Sequence, residues 1–342
     1  MQNRATGICL LGLGRAGNFH LQSLRITDEA RLVCVHDIDS ERAQQISDRT
    51  GCEAAESAEQ AVVHPDVDAV IVATPTDSHF EYVQLALDAN KPVLTEKPLG
   101  RHLHQIDACF EKAAKNSTPL FVAFQRRFDP SFASLVRAVH RGDLGQLQFV
   151  RSVSRDNPVP SADYIRISGG IFHDCMVHDL DMVAHIVGEV PTHLSSFGSS
   201  FIKAIGELDD FDSVVASLVF PSGVTATIDI NRKSVFGYDQ RIEAFGDAGM
   251  QFADNQYDTS VISANKTGFK RSPIEFSFPS RYRDAYLEEL RTFIRCARGE
   301  EAVPITHRDV RVNHLLACGL EVAAREKRVV NFDEIEPSLA ST

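Results

Sequence analysis

Short apolar runs alternate with helix-like segments over the first third of the chain. Gly7-Ile8-Cys9-Leu10-Leu11 reads as a buried strand, and the segment from Gly17 to about Ile26 as a helix. Arg31-Leu32-Val33-Cys34-Val35-His36 is a second strand. Ser40 is the expected cap of the next helix, which would turn Ala43 and Ile46 inward. Ala69-Val70-Ile71-Val72-Ala73 is a fully apolar strand, followed by a helix through Tyr82, Leu85 and Ala86. Pro92-Val93-Leu94 leads into Glu96-Lys97-Pro98. A helix over about 102–115 and the strand Leu120-Phe121-Val122-Ala123-Phe124 complete the set. Apolar strands separated by helices predict a parallel, doubly wound α/β sheet over residues 1–124.

The rhythm then changes. A helix over about 129–141 stops at Gly142, and a strand runs from about 146 to 154. Val214–Phe220 and Val224–Ile230 flank Pro221-Ser222-Gly223, a hairpin signal. Arg241-Ile242-Glu243-Ala244-Phe245 alternates and ends at Gly246. Strands crowd residues 191–265, and helices near 283–298 and 307–326 close the chain. Residues 125–342 are expected to form an α+β domain with a large, mostly antiparallel open sheet. Its alternating strands need cover, which predicts pairing with another subunit.

With 342 residues, two domains are expected. The formal net charge of −12 disfavours nonspecific binding to nucleic acid or an anionic membrane. Seven scattered cysteines form no CxxC and read as free thiols of a reducing compartment. A strand and a glycine loop follow Met1 almost at once, so no signal peptide is expected. No apolar run approaches the roughly 20 residues of a membrane span. A cytoplasmic protein is the expectation.

Candidate chemistry lies at strand ends. Gly12-Leu13-Gly14-Arg15-Ala16-Gly17 follows a buried strand and opens a helix. Such glycines allow a tight turn and close approach of backbone N–H groups to a pyrophosphate. Asp37 ends the second strand, where a carboxylate accepts from the adenosine ribose and repels a 2′-phosphate. Ile38 follows it, not arginine, so NAD is favoured over NADP. Arg42 is near enough to blur that choice, although its bland reading is a solvated helix residue. Thr74-Pro75-Thr76-Asp77-Ser78-His79 follows another strand and should border the ribose and nicotinamide; Asp77 or Ser78 could equally be only a helix cap. Lys97 stands at a further strand end, where Glu96 either orients it or touches the cofactor.

Gly169-Gly170-Ile171-Phe172-His173-Asp174 precedes His178. Asp174 and His178, four apart on a predicted helix, share a face, and Asp181 and His185 extend the stripe. His173, Asp174, Cys175 and His178 raise a metal reading, but they do not all share a face and lack tetrahedral Cys/His spacing, so no metal is expected. A neutral histidine accepts a proton near neutrality, and a lysine stabilises a developing alkoxide. These groups read as a nicotinamide-dependent polyol or sugar dehydrogenase. A dinucleotide-sensing regulator without turnover is the rival, and it would be expected to lose the lysine or the histidine.

Gly12-x-Gly14-x-x-Gly17, Glu96-Lys97-Pro98 and Asp174-x-x-x-His178, in this order, resemble the glucose-fructose oxidoreductase/inositol dehydrogenase (Gfo/Idh/MocA) family over essentially the whole chain. Gly169–Phe172, His178–Asp181 and Phe236-Gly237-Tyr238-Asp239-Gln240-Arg241 resemble its inositol 2-dehydrogenase branch. The resemblance implies Lys97, Asp174 and His178 as catalytic residues. His178 would be the base, Asp174 would orient it, and Lys97 would bind the reacting hydroxyl. It implies a cis Lys97–Pro98 peptide. Gln125, beside the cofactor, would open the substrate domain, with Arg126 facing the pocket and Arg155, Asn157, Asp181 and Tyr238 contacting hydroxyls. Phe236 stands where the family would have tyrosine, and Arg155 where histidine also occurs, which leaves the exact polyol, another inositol isomer or an aldose open. Myo-inositol leads, and a homodimer or homotetramer is implied.

Overall fold

The computed structural model describes residues 4–335. They form two compact units. The first holds the described residues through Phe128 together with Arg283–Arg311; the second holds Asp129–Tyr282 and the described residues from Val312. The chain thus returns to the first unit late, where a single boundary after residue 124 would keep it in the second.

The first unit is a six-stranded, all-parallel sheet. Its strands are β1 (Thr6–Leu11), β2 (Ala30–His36), β3 (Glu53–Ala54), β4 (Ala69–Val72), β5 (Val93–Glu96) and β6 (Leu120–Ala123). The spatial order is β3-β2-β1-β4-β5-β6. Leu10 lies opposite both Val35 and Ile71, and all three are fully buried. Helices cover the sheet, which is why every residue of β1, β4, β5 and β6 is buried. The order reverses at β1, and ligands of such sheets sit at the carboxyl ends of the strands beside that reversal. The helix Arg283–Ala297 joins this unit by burying Leu290, Phe293 and Ile294 in its core. The Lys97–Pro98 peptide is cis, as the resemblance implied.

The second unit has a seven-stranded mixed sheet. It contains β7 (Leu147–Arg155), β8 (His193–Ser199), β9 (Ser213–Val219), β10 (Thr225–Asn231), β11 (Asp239–Gly246), β12 (Gly249–Ala253) and β15 (Val330–Asn331). β13 (Ile262–Asn265) and β14 (Gly268–Arg271) form a separate hairpin. The order is β12-β11-β7-β10-β9-β8-β15, with β7 and β10 parallel and the other neighbours antiparallel. Alternation sets the faces. Val214, Ala216 and Leu218 are buried, while Val215 and Val219 are exposed. One cross-strand row runs Val219, Thr225, Phe149, Phe245, Met250, and Phe197 lies opposite Val215. Phe197, Val215, Val219, Phe245, Met250 and Phe252 leave large apolar side chains exposed.

Among the described residues, no helix is long and apolar enough to cross a membrane.

Candidate active site

The three glycines of the first loop serve different ends. Gly12 takes a φ of +88°, and a Cβ there would meet the Thr74 nitrogen at 2.6 Å, so the turn after β1 admits no side chain. A Cβ on Gly17 would meet the Gly12 carbonyl oxygen at 2.1 Å, so the helix Arg15–Ile26 packs directly on the turn. A Cβ on Gly14 would meet nothing, and Gly14 offers no side-chain cap to that helix. The space beside Gly14 at the helix start is open, and a helix N-terminus of this kind is the cradle a dinucleotide pyrophosphate requires. Arg15 and Ala16 begin the helix there.

Asp37 is bound into this loop. Its Oδ2 accepts from the Leu13 backbone N–H at 2.6 Å, and its Oδ1 accepts from the Asp39 N–H at 2.9 Å. Arg42 lies 3.5 Å from Asp37 and 3.2 Å from Asp39, so its guanidinium is committed to carboxylates. Ile38 is fully exposed. Thr74 and Pro75 follow β4, and Thr76 starts the helix Thr76–Asp88. His79, expected at the cofactor, is buried instead. Its ring nitrogens lie 2.7 Å from the Pro98 carbonyl and 2.8 Å from the Thr74 carbonyl. Burial holds its pKa down against those two carbonyls. It ties the loop after β4 to the loop after β5.

Lys97 is half-buried immediately beyond β5. Beside it, Glu96 is buried, with Oε1 2.9 Å from His20 Nε2. Burial pushes the Glu96 carboxyl up; the His20 hydrogen bond and the charges of His20 and Lys97 outweigh that and hold it below its usual range. Glu289, from the helix Arg283–Ala297, is fully buried, and neither carboxyl oxygen has a hydrogen-bond partner among the described residues. Burial, and then the charge of Glu96, raise its pKa well above the ordinary value. His20 and Glu289 escape a sequence reading because only the folded sheet brings them to Glu96. Gln125 and Arg126 are buried in a tight helical turn, Gln125–Phe128.

In the second unit, the helix Ala162–Ser168 ends at Gly169, where Gly169 and Gly170 both adopt positive φ. Asp174 then lies in a π-helical turn, Phe172–Met176, and His178 on the helix Val177–Val187. The regular i, i+4 rule behind the expected shared face therefore does not carry from Asp174 to His178. Asp174 is clamped: Tyr164 Oη donates to its Oδ1 at 2.8 Å, and Arg232 to its Oδ2 at 3.1 Å. Arg232 is completely buried and also reaches Asp210 at 3.4 Å. Burial opposes its charge, and Cys175, Asp174 and Asp210 outweigh burial to raise its pKa. His178 is half-buried, whereas Asp181 is buried.

Arg155, expected at a substrate hydroxyl, closes β7 and donates to Asp239 and Asp229, both at 2.7 Å. Burial pushes the Asp239 carboxyl up; hydrogen bonds from Arg241 and Asn255 and the nearby arginine charges bring it below its ordinary value. Asn157 donates to the Phe276 carbonyl at 2.9 Å. Tyr238 is buried against the rings of Phe278 and Tyr282.

Residues 6–124 match the oxidoreductase family model with the NAD-binding Rossmann fold, and residues 132–251 match the GFO/IDH/MocA C-terminal domain. The chain is 38% identical over 330 residues to the myo-inositol 2-dehydrogenase of Thermotoga maritima, covering 96% of this chain and 99% of that one. The chain belongs to the GFO/IDH/MocA oxidoreductase family. Within that family it is also 37% identical over 297 residues to the inositol 2-dehydrogenase of Rhizobium meliloti, covering 86% of this chain and 90% of that one. Among solved GFO/IDH/MocA structures, scyllo-inositol dehydrogenase from Lactobacillus casei with bound NAD(H) and scyllo-inositol superposes with a TM-score of 0.89. Identity there is 25%, over 96% of this chain and 99% of that one.

Proposed function

We propose that this protein oxidises a secondary ring hydroxyl of a cyclic polyol to a ketone with NAD, myo-inositol being the leading substrate. The end-to-end similarity to a myo-inositol 2-dehydrogenase carries the substrate class. The nicotinamide, when bound, supplies the hydride acceptor. Gly12, Gly14, Arg15, Ala16 and Gly17 receive the pyrophosphate, and Asp37 and Ile38 receive the adenosine half. Thr74, Pro75, Thr76, Glu96 and Gln125 border the nicotinamide half. His79 supports these loops from beneath rather than touching the cofactor.

Lys97 binds the reacting hydroxyl and stabilises the negative charge that grows on its oxygen. His178 removes the hydroxyl proton. Asp174, accepting from Tyr164 and Arg232, supplies the fixed anion that balances His178 once it is protonated. Arg126, Asn157, Asp181 and Tyr238 line the polyol. Arg155 acts through Asp229 and Asp239, its two carboxylate partners. A second substrate, scyllo-inositol, is favoured by the similarity to the Lactobacillus casei structure and to the scyllo-inositol 2-dehydrogenase of Bacillus subtilis.

The apolar row on the open face of the second sheet supports a homodimer or homotetramer. NADH absorbance measured across a panel of inositol isomers and aldoses tests the reading. Fastest turnover with myo-inositol is expected. Tight NADH binding with no turnover of any polyol would replace the enzyme by a sensor.

A further inference from the structure

Three metal-ligating side chains gather within the second unit, apart from the groups that clamp Asp174, and a carboxylate lies beside one of them. His173 lies in the π turn Phe172–Met176. His314, Cys318 and Glu321 lie on the helix His307–Glu326, spaced by four and three residues along one face. One ligand atom each from His173, His314 and Cys318 falls within 4.8 Å of the other two. His314 Nε2 is 3.7 Å from Cys318 Sγ. The two imidazole centroids are 5.7 Å apart, their planes at 51°. Glu321 Oε2 sits 3.3 Å from His173 Nε2, and its Oε1 accepts from Arg325 at 2.9 Å.

These distances have a chemical meaning. Zinc bonds of about 2.0–2.1 Å to nitrogen and about 2.3 Å to sulfur place neighbouring tetrahedral ligands about 3.3–3.6 Å apart. The His314–Cys318 separation already sits close to that value, and His173 lies within 4.8 Å of both. Two imidazoles and a thiol select a borderline-soft transition ion over magnesium or calcium, which take oxygen ligands.

We propose that His173, His314 and Cys318 form a binding site for a divalent zinc-class cation, with Glu321 or water as the fourth ligand. Arg325 holds the Glu321 carboxylate in the manner of outer-shell partners at such centres. The ion would staple the turn carrying Asp174 to a helix far along the chain, and it would stabilise the fold by mass action. Residues 173–178 alone do not show this site, because two of its ligands come from that distant helix.

The test uses the full-length protein stripped with a chelator and titrated with Co²⁺ and then Zn²⁺. One Co²⁺ per chain should give tetrahedral d–d bands and a near-ultraviolet thiolate charge-transfer band, both displaced by Zn²⁺. Zn²⁺ should raise the melting temperature. Cys318→Ser should abolish the charge-transfer band and His314→Ala the saturable d–d signal, while Cys175→Ser keeps both. Polyol turnover of the stripped Cys318→Ser variant should equal that of the stripped parent. A band that never saturates, or one that survives in Cys318→Ser, overturns the site. Should either variant fail to fold, alkylation of the parent decides: selective protection of Cys318 by Zn²⁺ supports the site, and equal labelling with and without Zn²⁺ refutes it.

Discussion

Arg232, one residue beyond β10, donates across 3.1 Å to the Oδ2 of Asp174 from a position with no solvent exposure. A buried cation of this kind fixes carboxylates because leaving them unpaired costs more than holding them. Arg232→Leu removes the buried cation that Asp174 and Asp210 share. Removing one partner of a buried pair typically costs about 3–5 kcal/mol, so a large drop in denaturant midpoint is expected. Tyr164→Phe removes one donor to Asp174 and leaves the cation in place. It should lower kcat severalfold with little change in KM for NAD. An unchanged midpoint in Arg232→Leu would mean that the two aspartates find other partners.

Cofactor choice should track Asp37. NAD is expected to support much higher kcat/KM than NADP, because the carboxylate opposes a 2′-phosphate and Arg42 is occupied by Asp37 and Asp39. Asp37→Ala should narrow the gap by freeing Arg42. It should also raise the NAD KM, since Asp37 holds the Leu13 N–H of the glycine turn. Steady-state kinetics with both cofactors checks this, and equal use of NADP by the parent protein would refute the carboxylate argument.

How far the sequence reached follows from which interactions are local. Gly12, Gly14 and Gly17 declare a turn because their constraints arise within a few residues and one neighbouring strand. Lys97 was visible because apolar strands announce their own ends. The π turn at Asp174 was not, since its residues would suit a regular helix equally well. Tyr164, Arg232 and Asp210 converge on or around Asp174 only through tertiary packing. The helix Arg283–Ala297 showed an apolar stripe, but a stripe does not name the sheet it covers; this one is buried in the first unit.

Glu289 predicts an inverted pH response. Its folded pKa lies well above the ordinary 4.5, so the native state holds a proton that the unfolded chain releases. That contribution to stability is complete below about pH 4.5 and is lost as pH rises toward the folded value, by up to about 1.4 kcal/mol per pH unit. Glu289→Gln keeps the neutral shape and loses this dependence. Melting curves should show the variant's advantage over the parent growing from pH 5 to pH 8. A constant difference would mean that Glu289 titrates normally.

The exposed row Val219, Phe245, Met250, together with Phe197, should be covered in solution. Light scattering is expected to give a dimer or tetramer, and the double change Phe197→Asp, Phe245→Asp should yield smaller species that still bind NADH. A monomeric parent at micromolar concentration would show that this face serves no self-association.

The proton path gives the sharpest test. Loss of a general base typically lowers the rate about 10²–10⁴-fold. His178→Ala should lower kcat by that order while NAD affinity stays close to that of the parent, because the Gly12–Gly17 loop is complete within the first unit. Lys97→Ala should be at least as harmful, since it removes the charge that stabilises the developing alkoxide. In the parent, kcat/KM for oxidation should rise with pH through one ionisation, and that limb should vanish or shift in His178→Ala. Prolonged EDTA should leave turnover intact, because an imidazole base and an ammonium group suffice for the step. Near-parental turnover by His178→Ala, with an unaltered pH profile, would overturn this mechanism and return the base to another residue.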